Sequence, residues 1–261
     1  MKRKGLKYTC LGAVLLFLYV PILTLIVYSF NASRTMGKWG GFSLKWYAEL
    51  FKDSVIMDAL WVTLSIAVLA ALCATILGTA AAIGIDAMKK KRQGLVENIT
   101  YIPMLSPDIV TGISMMMLFL FLGVRLGYGT MLLAHITFNL PYVIFSVLPK
   151  LRQLNPAHYE AALDLGAKPA YALRKIVLPQ ILPGIFTGFI FAFTLSIDDF
   201  VISYFTSQDV SNLSMTIYSM ARRGLSPKIN ALSTIMFVSV MVLLIIVNVR
   251  SSRQTRKGAS Q

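Results

Sequence analysis

Six stretches of this 261-residue chain are long and apolar enough to cross a bilayer as helices. They cover residues 9–30, 58–85, 99–122, 130–147, 184–205 and 229–249. A hydrocarbon core about 30 Å thick needs about 20 mostly apolar residues per helical crossing. Backbone in lipid must satisfy its own polar groups, which makes helices the solution for such stretches. The expected fold class is therefore all-α, a polytopic membrane protein with six transmembrane helices. Apolar residues make up 56% of the chain and charged ones 14%, against about 25% charged in a typical soluble domain. Disordered, coiled-coil and disulfide-stapled folds are excluded on the same grounds. The first stretch follows a basic start, Met1-Lys2-Arg3-Lys4. Its apolar run exceeds the roughly 7–15 residues of a signal-peptide core, so it is expected as an uncleaved first span.

The charges then orient the chain, whose formal net charge is +14. Lys2, Arg3, Lys4 and Lys7 precede the first span, and Lys89, Lys90, Lys91 and Arg92 follow the second. Lys150, Arg152, Lys168, Arg174 and Lys175 follow the fourth, and Arg250, Arg253, Arg256 and Lys257 follow the sixth. Those 17 bases share one side, while Arg34, Lys38, Lys45, Lys52, Arg125, Arg222, Arg223 and Lys228, eight in all, lie on the other. The positive-inside rule places the 17, with both termini, in the cytoplasm. The basic excess is thus mainly a topology signal. No basic folded domain is left over, and no nucleic-acid partner is expected. Residues 31–57 and 207–228 become outer loops, and residues 149–183 the largest cytoplasmic loop. Arg222 and Arg223 in the last outer loop are placed to meet acids on a soluble partner, or to be solvated loop charges.

No catalytic centre is expected. Cys10 and Cys73 both lie in apolar runs, and His135 and His158 are far apart, so no Cys/His cluster has zinc spacing. Both histidines are expected to satisfy local hydrogen bonds. The chain lacks a phosphate-cradling G-x-x-x-x-G-K-[ST] loop, H-E-x-x-H, an EF-hand loop and a nucleophile elbow. No catalytic residue, metal site or cofactor follows, and the chain is not expected to hydrolyse ATP or anything else by itself.

The large cytoplasmic loop carries the strongest motif. Asn155 suits a helix N-cap, Pro156 the first helical position and Gly166 a helix terminator. A short helix over 156–165 is expected, with Tyr159, Ala162, Leu163 and Gly166 on one face. Lys168-Pro169 turns the chain, and a second short helix over 170–177 is expected to end before Pro179 and Pro183. Ala161, Ala162 and Gly166 form a small-residue patch that a partner surface can approach closely. By these residues alone the segment is either such a docking knob or an ordinary interhelical loop.

The spacing Glu160-Ala161-Ala162, three residues, Gly166, nine residues, Ile176-Val177-Leu178-Pro179 resembles the EAA signature of bacterial ABC importer permeases. In that family EAA-x3-G-x9-I-x-L-P is the docking loop for the ATPase. The order of spans also resembles the MetI-like type I permease fold, a five-helix core with an added N-terminal span. The resemblance implies an N-terminal helix and outer loop over 1–57, a type I permease core over 58–250 with its EAA loop at about 150–183, and a cytoplasmic tail over 251–261. It implies ATPase-coupling roles for Tyr159, Glu160, Ala161, Ala162, Asp164, Gly166, Ile176, Leu178 and Pro179.

Further stretches are similar to the PotC-type permeases of spermidine/putrescine transporters. These are Pro21-Ile22, Ser29-Phe30-Asn31-Ala32-Ser33-Arg34, Met104-Leu105-Ser106-Pro107-Asp108-Ile109-Val110, His135-Ile136-Thr137-Phe138 and Phe193-Thr194-Leu195-Ser196-Ile197-Asp198-Asp199. Ile217-Tyr218-Ser219-Met220, Gly224, Ser226-Pro227 and Asn230-Ala231-Leu232 continue the run. Gln208-Asp209-Val210 departs from it. The resemblance implies a polyamine substrate and a multi-pass place in the bacterial cytoplasmic (inner) membrane. The implied partners are a second, PotB-like permease subunit, a PotA-like ATP-binding subunit dimer, a soluble or lipid-anchored PotD-like polyamine-binding protein and membrane lipid.

Three acids fall inside expected spans: Asp108, Asp198 and Asp199. Ionisable groups there are costly and mark cavities or partners. On straight helices Asp108 would lie about 13 Å from the cytoplasmic face and Asp198 about 21 Å. Staggered carboxylates suit a polyamine, whose amines need compensating charge in a low-dielectric path. Phe119, Phe200 and Tyr204 are candidate aromatic neighbours for cation–π contact, or plain packing residues. Ser106-Pro107-Asp108 also reads as a helix start, with Ser106 as N-cap and Asp108 complementing the helix dipole. Adjacent helical residues point about 100° apart. One of Asp198 and Asp199 is therefore expected to face the path, Asp198 for preference, while the other pairs with a base of the partner subunit. Two other readings stay open: the same fold with another organic cation or an ion as substrate, and a secondary transporter with the acids as proton sites.

Overall fold

The computed structural model describes residues 2–35, 37–223 and 227–258, and leaves the side chains of 2–9, 243–244 and 246–258 outside the description. The terminal bases of the topology count, and the motif residues Gly224 and Ser226, therefore lie outside the described side chains. Twelve α-helices lie among the described residues. They are α1 (Lys2–Ser29), α2 (Lys45–Phe51), α3 (Ser54–Asp86), α4 (Lys90–Leu105), α5 (Asp108–Phe121), α6 (Tyr128–Arg152) and α7 (Pro156–Asp164). After these come α8 (Pro169–Ala172), a π-helical turn (Leu173–Val177), α9 (Leu178–Asp198), α10 (Val201–Thr206), α11 (Leu213–Arg223) and α12 (Pro227–Gly258). The β features among the described residues amount to one bridge, Asn31 to Phe42. The class is all-α.

Four helical runs are long and apolar enough to cross a membrane: Cys10–Ser29, Ser54–Asp86, Tyr128–Arg152 and Pro169–Asp198. The other expected crossings differ. The span expected over 99–122 is two helices, α4 and α5, whose axes meet at 103°. The pair makes a fifth crossing only if a bent pair counts as one. The apolar part of α12 covered by the described residues, Pro227–Val242, is shorter than a crossing. The span expected over 184–205 ends early, because α9 stops at Asp198 and α10 starts at Val201. The depth estimated for Asp108 on a straight helix therefore does not apply, whereas Asp198 ends one continuous helix.

The second short helix of the loop also departs from expectation. It does not stop before Pro179 and Pro183 but runs through α8 and the π turn into α9. A wider π turn accommodates disturbance of the ordinary hydrogen-bond ladder. Pro179 follows it within the first two residues of α9, where a missing N–H is tolerated.

The chain divides into two compact units, residues 58–215 and residues 1–57 with 216–261. In the first unit α6 is the centre. Val143, Ile144, Val147 and Leu148 are buried with Ala71, Ala74 and Ala82 of α3 and Ile181 and Ala192 of α9. Small residues let the backbones close in, the usual device where lipid gives no hydrophobic drive between helices. A β-carbon on Gly184 would stand 2.9 Å from the Ser146 carbonyl oxygen, and one on Gly78 would stand 2.7 Å from a Val143 methyl.

In the second unit α1 and α2 both pack on α12. Asn31 organises the segment between α1 and α2. Its Nδ2 donates to the Lys38 carbonyl at 2.8 Å, its Oδ1 accepts from the Gly40 amide at 2.7 Å, and its carbonyl accepts from Trp46 Nε1 at 2.6 Å. Trp46 and Leu50 of α2 are buried, and Lys228 pairs with Asp53 at 3.1 Å. The expected loop over 207–228 contains α11, which ends on the exposed Arg222 and Arg223.

Candidate functional sites at two helix breaks and a helical knob

The knob follows from its caps. Asn155 Oδ1 accepts from the Ala157 amide at 3.0 Å, and Pro156 opens α7. At the other end the Gly166 amide donates to the Leu163 carbonyl at 2.9 Å and the Ala167 amide to the Ala162 carbonyl at 3.0 Å. These two bonds form a Schellman closure, which needs a left-handed residue at the turn. Gly166 supplies it with φ +84°. The glycine that follows Glu160-Ala161-Ala162 after three intervening residues is thus a backbone requirement. Tyr159, Ala162 and Leu163 are half-buried, while Glu160, Ala161, Asp164 and Gly166 are exposed. Leu165 is 88% exposed and Tyr171 60%. Ile176, Leu178 and Pro179 sit in the π turn and first turn of α9, so the motif runs from an exposed knob into a spanning helix.

The first break lies at Ser106-Pro107. Proline disfavours helix at the residue before it, and Ser106 is extended at ψ 139°. Ser106 does not cap α5. Its hydroxyl donates back to the Ile102 carbonyl at 3.1 Å, and Pro107 is the N-cap residue. Asp108 is the first residue of α5 and is exposed. Among the described residues it makes no hydrogen bond or ion pair, and its carboxylate stands where unfilled amides favour negative charge.

The second break has no proline. Asp199 is extended at ψ 126° and its side chain starts α10. Its Oδ1 accepts from the Ile202 amide at 3.2 Å, and its Oδ2 accepts from the Ser203 amide and Ser203 Oγ, both at 2.8 Å. His135 Nε2 of α6 lies 3.3 Å from the same Oδ2 and 2.9 Å from Ser203 Oγ. Asn212 Nδ2 donates to Ser203 Oγ and to the Asp199 carbonyl, each at 2.8 Å. At the far end of α10, Thr130 Oγ1 of α6 donates to the Thr206 carbonyl at 2.7 Å. Both ends of α10 are therefore tied to α6. The expected pairing of Asp199 with a base of another subunit is replaced by this pairing with His135 of its own chain.

Asp198 differs from its neighbour. It is exposed, and the contact shown for it is through its backbone carbonyl, which accepts from Ser214 Oγ at 3.2 Å. The rings of Phe200 and Tyr204 lie 5.5 Å apart just past the break, and Tyr204 is 52% exposed. Phe119 is elsewhere. It is buried with Ala134 and Ile202, which makes it a packing residue in this conformation. The two half-helices meet at Gly112 of α5, where an added β-carbon would stand 3.1 Å from the Phe205 ring.

His135, Ser203 and Asn212 are not among the site residues expected from the sequence. A signal was present: His135 and Asn139 are one helical turn apart inside an apolar stretch, with Ser196 and Ser203 in the next. Polar side chains at such depth require partners. Both α6 residues are fully buried, and Asn139 Nδ2 donates to Ser196 Oγ at 2.8 Å.

Residues 74–253 match the family described as binding-protein-dependent transport system inner membrane component. The chain is 41% identical over 234 residues, 89% of each chain, to the spermidine/putrescine transport system permease protein PotC of Escherichia coli (strain K12). It is 41% identical over 236 residues, 87% of this chain and 84% of the relative, to the putrescine transport system permease protein PotI of the same organism. Among solved structures it is similar to a bacterial ABC transporter involved in the import of the acidic polysaccharide alginate. The TM-score is 0.73 at 20% identity, over 97% of this chain and 96% of the other. The MetNI methionine ABC transporter is also similar, with TM-score 0.61 at 16% identity over 77% and 95%. With a family match over most of its length and relatives at this identity, the chain belongs to the binding-protein-dependent transport system inner membrane components, the MetI-like ABC permeases.

Proposed function

We infer that this chain is the membrane-spanning permease subunit of an ATP-driven importer of polyamines such as spermidine and putrescine. The observation that carries the substrate class is Asp198, an exposed carboxylate at a helix break in an otherwise apolar run. The two polyamine-permease relatives support it. A polyamine entering a low-dielectric path loses hydration that only fixed negative charge or polar groups replace. Asp108 and Asp198 provide two such charges, and the Phe200–Tyr204 pair offers ring faces for cation–π contact of about 0.5–2 kcal/mol. Attraction of that size permits release, which conduction also requires.

Energy enters through the knob. An ATP-binding subunit dimer docks on α7 and the exposed residues Glu160, Ala161, Asp164 and Leu165, and moves α9 through the continuous helical run behind it. A second permease subunit completes the path, and a binding protein delivers substrate at the outer mouth. The knob and both termini are on the cytoplasmic side, in line with the 17-to-8 distribution of bases.

The test is uptake of labelled spermidine by proteoliposomes containing the purified complex, with and without enclosed ATP. ATP-dependent uptake, competed by putrescine, is expected. Gly166→Val is expected to abolish it while the protein still reaches the membrane, since a β-branched residue at φ +84° is strained by about 1–2 kcal/mol. Wild-type uptake in that variant contradicts the docking role. Uptake that ignores ATP and collapses with an uncoupler contradicts the ABC mechanism.

A further inference from the structure

We propose that His135 is a positioning residue for substrate, setting the geometry of the α9–α10 break so that Asp198 alone of the acid pair is presented to the cation. The inference rests on the polyamine-permease reading above.

Proton accounting supports it. The Ser203 hydroxyl has one hydrogen, and it goes to Asp199 Oδ2. Ser203 Oγ also receives one N–H of Asn212. His135 Nε2, 2.9 Å from that oxygen, must therefore donate to it, sharing the hydrogen with Asp199 Oδ2 at 3.3 Å. Nε2 therefore carries a proton. Nδ1 is buried with no hydrogen-bond partner among the described residues. The imidazole is thus held as a fixed donor to the start of α10.

The consequence falls on the two acids. Each Asp199 oxygen accepts hydrogen bonds within the protein, and its side chain is 9% exposed. It does not reach a passing cation without breaking them. The Thr130 bond fixes the end of α10 on α6, and His135 fixes its start. Asp198, immediately before the break, inherits its place from that anchor. Functional groups held by such a supporting shell are more effective than loose ones.

The experiment compares His135→Ala, His135→Gln and Asp198→Asn in the reconstituted complex, each at matched permease content. It measures spermidine half-saturation and maximal uptake. His135→Ala is expected to raise the half-saturation concentration at least about threefold, the scale of a lost buried hydrogen bond. His135→Gln, which keeps an N–H donor, is expected to restore it to near the wild-type value. A general packing defect would instead lower maximal uptake without that rescue. An unchanged half-saturation in His135→Ala, or equal impairment in His135→Gln, overturns the inference. Asp198→Asn separates the two levels. If it transports as wild type, the polyamine-path reading fails. If it is impaired while His135→Ala is not, only the role of His135 fails.

Discussion

The α4–α5 break and the α9–α10 break each put an acid at the head of a half-helix, yet they are held differently. At the first, proline chemistry opens the chain, and Asp108 stands exposed. At the second, no proline intervenes. The break is made by Asp199, whose carboxylate replaces the amide partners that a continuous helix would have supplied. His135, Ser203 and Asn212 then close around it. The first acid depends on the break, whereas the second break depends on its acid. One design leaves a carboxylate available, and the other uses a buried carboxylate to keep its neighbour available.

Substitutions test that contrast in order of expected effect. Asp199→Ala removes a cap and leaves the Ile202 and Ser203 amides and the Ser203 hydroxyl without their acceptor. A loss of about 2–5 kcal/mol is expected, seen as a melting temperature lower by about 5–15 °C for the purified complex. A change within about 2 °C would show that the second break does not depend on its acid. Gly112→Val tests the contact between the half-helices. Its side chain meets the Phe205 ring and the Val201 carbonyl, so destabilisation of about 1–3 kcal/mol is expected. An unchanged melting temperature would mean that α5 and α10 separate freely. Asp108→Asn has the smallest expected effect on stability, about 0.3–1 kcal/mol from the helix dipole. Uptake should still fall. A stability loss as large as that of Asp199→Ala would erase the distinction between the breaks.

The difference also explains what was legible in the sequence. The knob was readable residue by residue, because Asn155, Pro156 and Gly166 act locally through caps and a left-handed turn. The Ser106-Pro107 break carried its signal in the proline, although the cap is one residue later than expected. The second break was hidden. Asp199 stands out in the sequence as an acid in an apolar run, but its partners His135 and Asn212 lie 64 and 13 residues away. A pattern that averages hydropathy cannot show a bond between distant side chains. Pro179 and Pro183 misled in the opposite direction, since the helix runs through both, with Pro179 in the first turn of α9 and Pro183 inside it.

The central claim is that the adjacent acids divide their work, with Asp199 holding the break and Asp198 meeting the cation. It is tested most directly by Asp198→Asn in the reconstituted complex, with spermidine uptake and melting temperature measured on the same sample. The account expects uptake to be lost while the melting temperature stays within about 2 °C of wild type. Wild-type uptake, or a melting temperature lowered as far as that of Asp199→Ala, would contradict it.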